Sequence, residues 1–200
     1  LVDLKELKEK NSSIKALAYQ LYENNGVIKR DQVSEYLKNL DQNDRKILRE
    51  LGVKFGRYHV FLFKLIKPEA VSLRTLLWKN YHQKHFDLKP PTFGLNFLDS
   101  KEYKNQNFML LCGFEKFENI FVRIDILERL FMQIINSNAE ENKEIKMTPE
   151  MLNLLGCNKD NFKRLIKNMS YKVLEKDNEL FFRYIPKKND KRNLNKKSIK

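Results

Sequence analysis

Four basic side chains within one short stretch, Lys159, Lys163, Arg164 and Lys167, are the first residues whose type and spacing suggest chemistry. Phe162, Leu165, Ile166 and Met169 recur between them at three- and four-residue intervals, which predicts a helix that buries one stripe. Asn158 stands where its N-cap would be. The basic residues then fall on the rest of the helix surface, spaced to follow phosphates. Lys172, Lys176 and Arg183 carry the same charge onto the two alternating segments that follow, and Lys187 and Lys188 come directly after. Contacts dominated by lysine position a protein on a phosphate backbone more than they read sequence. An ordinary solvated helix face would use the same residues.

A second set is Lys54-Phe55-Gly56-Arg57-Tyr58-His59, basic and aromatic residues interleaved around a glycine. Aromatic faces can stack on unpaired bases while Lys54 and Arg57 neutralise phosphate. The same aromatics also suit the buried side of a strand. His82 and His85, three apart at a helix end, resemble half a metal site, but no cysteine or acid cluster completes it, so zinc is not expected. The sequence holds no G-x-x-x-x-G-K-[ST] loop, no H-E-x-x-H and no G-x-S-x-G. Asp125 and Glu128 lie beside Arg123 and Arg129, where surface ion pairs account for them. No catalytic residue, metal ligand or resident cofactor is expected in this chain.

The bulk numbers agree with a basic binding module. The net charge is +13 over 200 residues. Residues 186–200 hold seven basic and one acidic side chain, and the remaining 185 residues hold 32 basic and 25 acidic, so the body is basic as well as the tail. Such a field attracts phosphate backbones and speeds encounter. With 42% apolar and 12% aromatic residues the chain can bury a core. Its longest apolar patch, Val60 to Ile66, is broken by Lys64 and is far short of the roughly 20 residues of a bilayer-spanning helix, so a soluble, membrane-free protein is expected. Two cysteines without a C-x-x-C pair, Cys112 and Cys157, suit a reducing cytoplasmic compartment and read as buried free thiols. The start at Leu1, with no signal-peptide pattern, suggests a processed chain or a missing upstream portion.

The elements that must position these residues follow from periodicity. Helices are expected over Ser12 to Asn24, after Asp31 as N-cap, after Asp41 as N-cap, and from Pro68, whose long stripe of Val71, Leu73, Leu76, Leu77, Trp78 and Tyr81 reads as core. Tyr58 to Phe63 reads as a strand. Lys89-Pro90-Pro91 marks a break, and residues 92–121 read as loop with short strands at Asn107 to Cys112 and Glu118 to Val122. A helical stripe from Ile126 to Ile135 follows. Thr148-Pro149-Glu150 then starts a short helix burying Met151, Leu154 and Leu155, and a hairpin turns at Lys176-Asp177-Asn178. The expected fold is α+β and mostly helical, with a helical subdomain over 1–88, a winged-helix-like subdomain over 89–185 and a disordered basic tail over 186–200. The order helix, helix, helix, strand from Ser12 to Phe63 also suggests a degenerate internal duplication.

Three strings carry a resemblance across roughly residues 12 to 175. They are LRELGVKFGRYHVFLFKLIKPEAVSLRTLLW (Leu48 to Trp78), CGFEKFENIFVRIDILERL (Cys112 to Leu130) and MTPEMLNLLGCNKDNFKRLIK (Met147 to Lys167). In that order they resemble the region beyond the motor domains in bacterial relatives of the mitochondrial degradosome RNA helicase, a superfamily 2 family. The resemblance implies an accessory C-terminal region of an ATP-dependent RNA/DNA helicase, in the cytoplasm or, in a eukaryote, the mitochondrial matrix. ATP and Mg would be bound by upstream RecA-like motor domains, whose motifs are not in this sequence. Expected partners are single-stranded or partly duplex RNA or DNA, the motor domains and a nuclease. A protein-docking platform of such a helicase, or a free-standing winged-helix DNA-binding regulator, stays open as an alternative.

Overall fold

The computed structural model describes residues 2–5, 12–83, 87–137, 144–177 and 179–185, an α+β chain about half helical with small antiparallel sheets. The expected tail, with Lys187 and Lys188, lies outside the described residues, as does His85. After α1 (Val2–Lys5) the element order is α2 (Ser12–Glu23), β1 (Val27–Lys29), α3 (Ser34–Lys38), α4 (Gln42–Glu50), β2 (Val53–Phe55) and β3 (His59–Leu62). A 3₁₀ turn over Phe63–Ile66 leads into α5 (Pro68–His82), β4 (Phe97–Asp99), α6 (Gln106–Leu111), β5 (Phe114–Phe117) and β6 (Ile120–Arg123). Without a linker, α7 (Ile124–Ser137) follows, then β7 (Ile145–Lys146), α8 (Pro149–Leu155), α9 (Lys159–Asn168), β8 (Tyr171–Lys176) and β9 (Glu179–Tyr184).

One arrangement therefore occurs three times: a helix, a strand, one or two helices and a β-hairpin. The sheets have the orders β1-β3-β2, β4-β6-β5 and β7-β9-β8, so each time the lone strand pairs with the second strand of the hairpin. Register makes the recurrence concrete. Val60 faces Ile28 and Phe55, Phe121 faces Leu98 and Lys116, and Phe182 faces Ile145 and Val173. Those three central-strand residues are fully buried. Each contributes roughly 2–3 kcal/mol by leaving water, the aromatic pair more than Val60. The repetition suspected for the first half thus extends to the middle of the chain.

Most helix limits follow the sequence signals. Asp41 and Asp44 form a reciprocal capping box on α4, Asn158 Oδ1 accepts from Asn161 N at 2.9 Å on α9, and Gly156 ends α8 at φ 68°. Phe162, Leu165, Ile166 and Met169 are all buried, and Asp177 takes the left-handed conformation of a tight turn. Four expectations need correction. Asp31 does not cap α3: its side chain accepts from Gln32 N and Val33 occupies the cap position. Residues 106–111 are helix, because Asn105 caps them at Phe108 N and the burial of Phe108, Met109 and Leu111 follows a helical period. Ile135 is exposed. On α5 only Val71 and Thr75 are buried and Trp78 is half-buried against Phe108, while Leu73, Leu76, Leu77 and Tyr81 face solvent. That helix packs on β4, β5 and α6, so Pro90-Pro91 runs between elements of the second unit. Both cysteines are free, and burial pushes the Cys112 thiol up to about 12 and Cys157 to about 11. No helix among the described residues is long and apolar enough to cross a membrane.

Candidate nucleic-acid interface

Helix α9 stands on its buried stripe and turns Lys159, Arg164 and Lys167 to solvent. Lys163 is different. It is half-buried and bonded to Glu175 of β8, with Asp160 at 3.9 Å, and the Glu175 bond holds its ammonium above the usual lysine range. The bond ties α9 to the hairpin, and Lys163 is already partnered. On the hairpin, Lys172 and Arg183 are exposed and lie directly opposite each other in the β8–β9 register. Like charges across a strand pair are destabilising, and an anion placed between them reverses the sign. Elsewhere on this sheet the basic residues have acids: Lys146 pairs with Glu179 and Lys176 with Glu144, both at 2.5 Å. Among the described residues the 172–183 rung alone on this sheet pairs basic with basic and has no acid partner.

The first unit presents the second set differently from expectation. Lys54 and Arg57 are exposed, but Phe55 is covered by Arg45 and Arg49, whose guanidinium carbons stand 5.6 and 5.7 Å from its ring centroid. Tyr58 packs edge-on against Phe131 at 5.6 Å. Between them the Gly56–His59 turn is occupied by Glu128 of α7. Its Oε2 accepts from Arg57 N, and its Oε1 accepts from Tyr58 N at 2.9 Å and His59 N at 3.0 Å. A Cβ on Gly56 would lie 2.3 Å from Glu128 Cδ, so glycine is required here for close approach. Glu128 is thus a carboxylate held in a backbone nest, whereas Asp125 does form the expected pair with Arg123. Nothing in the sequence near position 128 signals a partner 70 residues away.

His59 makes the same junction a polar node of all three units. Its Nε2 lies 2.8 Å from Glu115 Oε2, Lys29 Nζ lies 2.8 Å from Glu115 Oε1, and Glu128 Oε1 stands 3.7 Å from Nδ1, too far for a hydrogen bond. Burial alone would lower the His59 pKa, but the Glu115 hydrogen bond and the charges of both acids outweigh it and raise it above 6.5. Burial would raise Glu115, and its bonds from His59 and Lys29 outweigh that and hold it below 4.5. By linkage, the stability His59 contributes is fully present below pH 6.5 and lost as pH rises through its raised pKa. The stability Glu115 contributes is present above pH 4.5 and lost as pH falls through its depressed pKa. Stability in urea should therefore be highest between pH 4.5 and 6.5 and decline as pH rises through the raised His59 pKa. His59→Gln should flatten the alkaline limb, and an unchanged limb would remove His59 as its cause.

Two clefts flank the Gly56–Tyr58 turn. One, about 900 Å³, lies among the three units and is lined by Lys29, Arg30, Lys38, Arg57, Phe131 and Tyr184, with Asp31 and Glu115 as its acids. The second, about 820 Å³, is bordered by Lys54, Arg57, Phe63, Arg129 and Met132. Arg30, Arg57 and Phe131 line both. Sequence reading missed Arg30, Lys38 and Arg129, which lie in the turn after β1, on α3 and on α7 and share no local pattern. His82 is exposed at the end of α5, and no group of three metal-binding side chains occurs among the described residues. Comparison with protein-family models, with curated proteins and with solved structures gives no match.

Proposed function

We propose that this chain is a sequence-tolerant nucleic-acid-binding region, built of winged-helix-like units, that serves as the accessory C-terminal part of an ATP-dependent RNA/DNA helicase. The observation that carries the binding claim is the uncompensated Lys172–Arg183 rung beside the exposed Lys159, Arg164 and Lys167 of α9. In the order helix, strand, two helices, hairpin, the second of the paired helices is the one that can face a groove, and the hairpin is the wing. In the first unit that helix is α4, with Lys46 and Arg49 exposed; in the second it is α6, which has no charged residue and is largely buried. The outer units bind and the middle one spaces them. The helicase context rests on the three resembling strings, with ATP and Mg bound by the upstream motor.

Fluorescence anisotropy of a labelled single strand tests the reading. Five phosphate contacts predict about a hundredfold loss of affinity between about 50 and 200 mM salt, whatever the base sequence. Absence of binding at the lower salt would remove the proposal. A second reading, a docking platform for the motor or a nuclease, is favoured by Leu73, Leu76, Leu77 and Tyr81, an exposed apolar stripe on α5. A stable complex with separately expressed motor domains, indifferent to nucleic acid, would favour it.

A further inference from the structure

We infer that the two clefts flanking the Gly56–Tyr58 turn form one path for an unpaired stretch of nucleic acid, with Arg57 at the crossing. The inference rests on the nucleic-acid reading above and adds a second site, separate from the α9 and hairpin surface. Continuity comes from the shared lining: Arg30, Arg57 and Phe131 border both clefts, so a strand leaving one enters the other beside the Arg57 guanidinium.

The charges fit phosphate. Lys29 is committed to Glu115, Glu128 to backbone N–H groups and Asp125 to Arg123, while Asp31 on the first cleft accepts from Gln32 N, and the basic lining residues still outnumber the acids. Lys38, Lys54, Arg57 and Arg129 form no ion pair among the described residues. Arg30 donates to Gly56 O at 2.8 Å, which fixes its guanidinium at the junction of the clefts. Its pKa is pushed down by burial and then by the like charges of Arg45 and Arg57, the field an anion would relieve. An acid bound in the nest orients the turn, and the surplus of positive charge around it is left for a ligand.

The aromatics fit bases that are out of a helix. Arg57 lies over the Phe131 ring at 5.7 Å, Tyr184 is 39% exposed in the first cleft, and Phe63 is 39% exposed in the second cleft. Such faces gain from stacking only where a base has a free face, and a duplex keeps its base faces in its own stack. Single-stranded RNA and single-stranded DNA share this chemistry, so both are used as probes.

The test uses the full chain with labelled oligo-U and oligo-dT of about twelve nucleotides, within the span such sites cover, and a blunt hairpin duplex. Arg57→Glu should weaken binding of at least one single strand by about tenfold or more. Duplex binding, made by the α9 surface, should change less than about twofold. Lys38→Glu, on α3 in the lining of the first cleft and not in contact with the Glu128 nest, should reproduce the effect, which keeps the test valid if Arg57→Glu folds poorly. A 5-iodouridine strand should photocrosslink to Tyr184, Phe131 or Phe63. Equal losses for strand and duplex in both variants, or crosslinks confined to α9 and the outer hairpin face, would overturn the path while leaving the binding reading intact. Failure of the unmodified chain to bind any of the three would overturn both.

Discussion

Glu128→Ala should destabilise the protein by about 3 kcal/mol, among the largest losses available to a residue that is not part of the apolar core. Its carboxylate accepts three backbone N–H bonds from Arg57, Tyr58 and His59, and its side chain is only 12% exposed. Truncation leaves those donors facing a void at a junction of the first and third units. Glu128→Gln should cost less, since the amide oxygen can still accept from Tyr58 and His59 while its NH₂ meets Arg57 N–H. Gly56→Ala should also destabilise strongly, because its methyl would meet a carboxylate that three bonds hold in place. In the Glu128→Ala background those three closest contacts are gone. The two substitutions should therefore be far from additive in urea titrations. Additive losses would show that Glu128 does not occupy the turn.

That contact also marks where sequence reading stops. Local rules give the N-cap at Asp41, the Asn158 cap, the Gly156 terminus and the α9 stripe, because each depends on residues within one or two turns of one another. The Asn107 to Cys112 segment reads as strand from sequence since its apolar run fits either period, and only the Asn105 cap favours a helix. Leu73, Leu76, Leu77 and Tyr81 have helical spacing, but spacing alone does not say which face of α5 the second unit covers. The α9 and hairpin basic residues were legible because they are local to one motif. The Lys172–Arg183 opposition, by contrast, needed the register, and the cleft needed all three units to be placed against one another.

The α9 surface gives the sharpest functional expectation. Replacing Lys159, Arg164 and Lys167 together with Ala should lower single-strand affinity at about 50 mM salt by at least tenfold and reduce the log–log salt slope by about 2, three contacts at about 0.7 each. The loss should shrink as salt rises, since the missing term is counterion release. Lys163 should not behave as a fourth member of the set. Its ammonium is held by Glu175, whose own pKa is lowered by that bond, so lysine and acid together present no net charge to a phosphate. Removing both, Lys163→Ala with Glu175→Gln, should leave affinity and slope near those of the unmodified chain. Glu175→Gln alone releases the lysine and deletes a repulsive acid, so it should tighten binding and steepen the slope by roughly one contact. An equal slope change for Lys163→Ala/Glu175→Gln and the triple variant would mean that Lys163 contacts phosphate in spite of Glu175, since the double variant leaves the net charge unchanged.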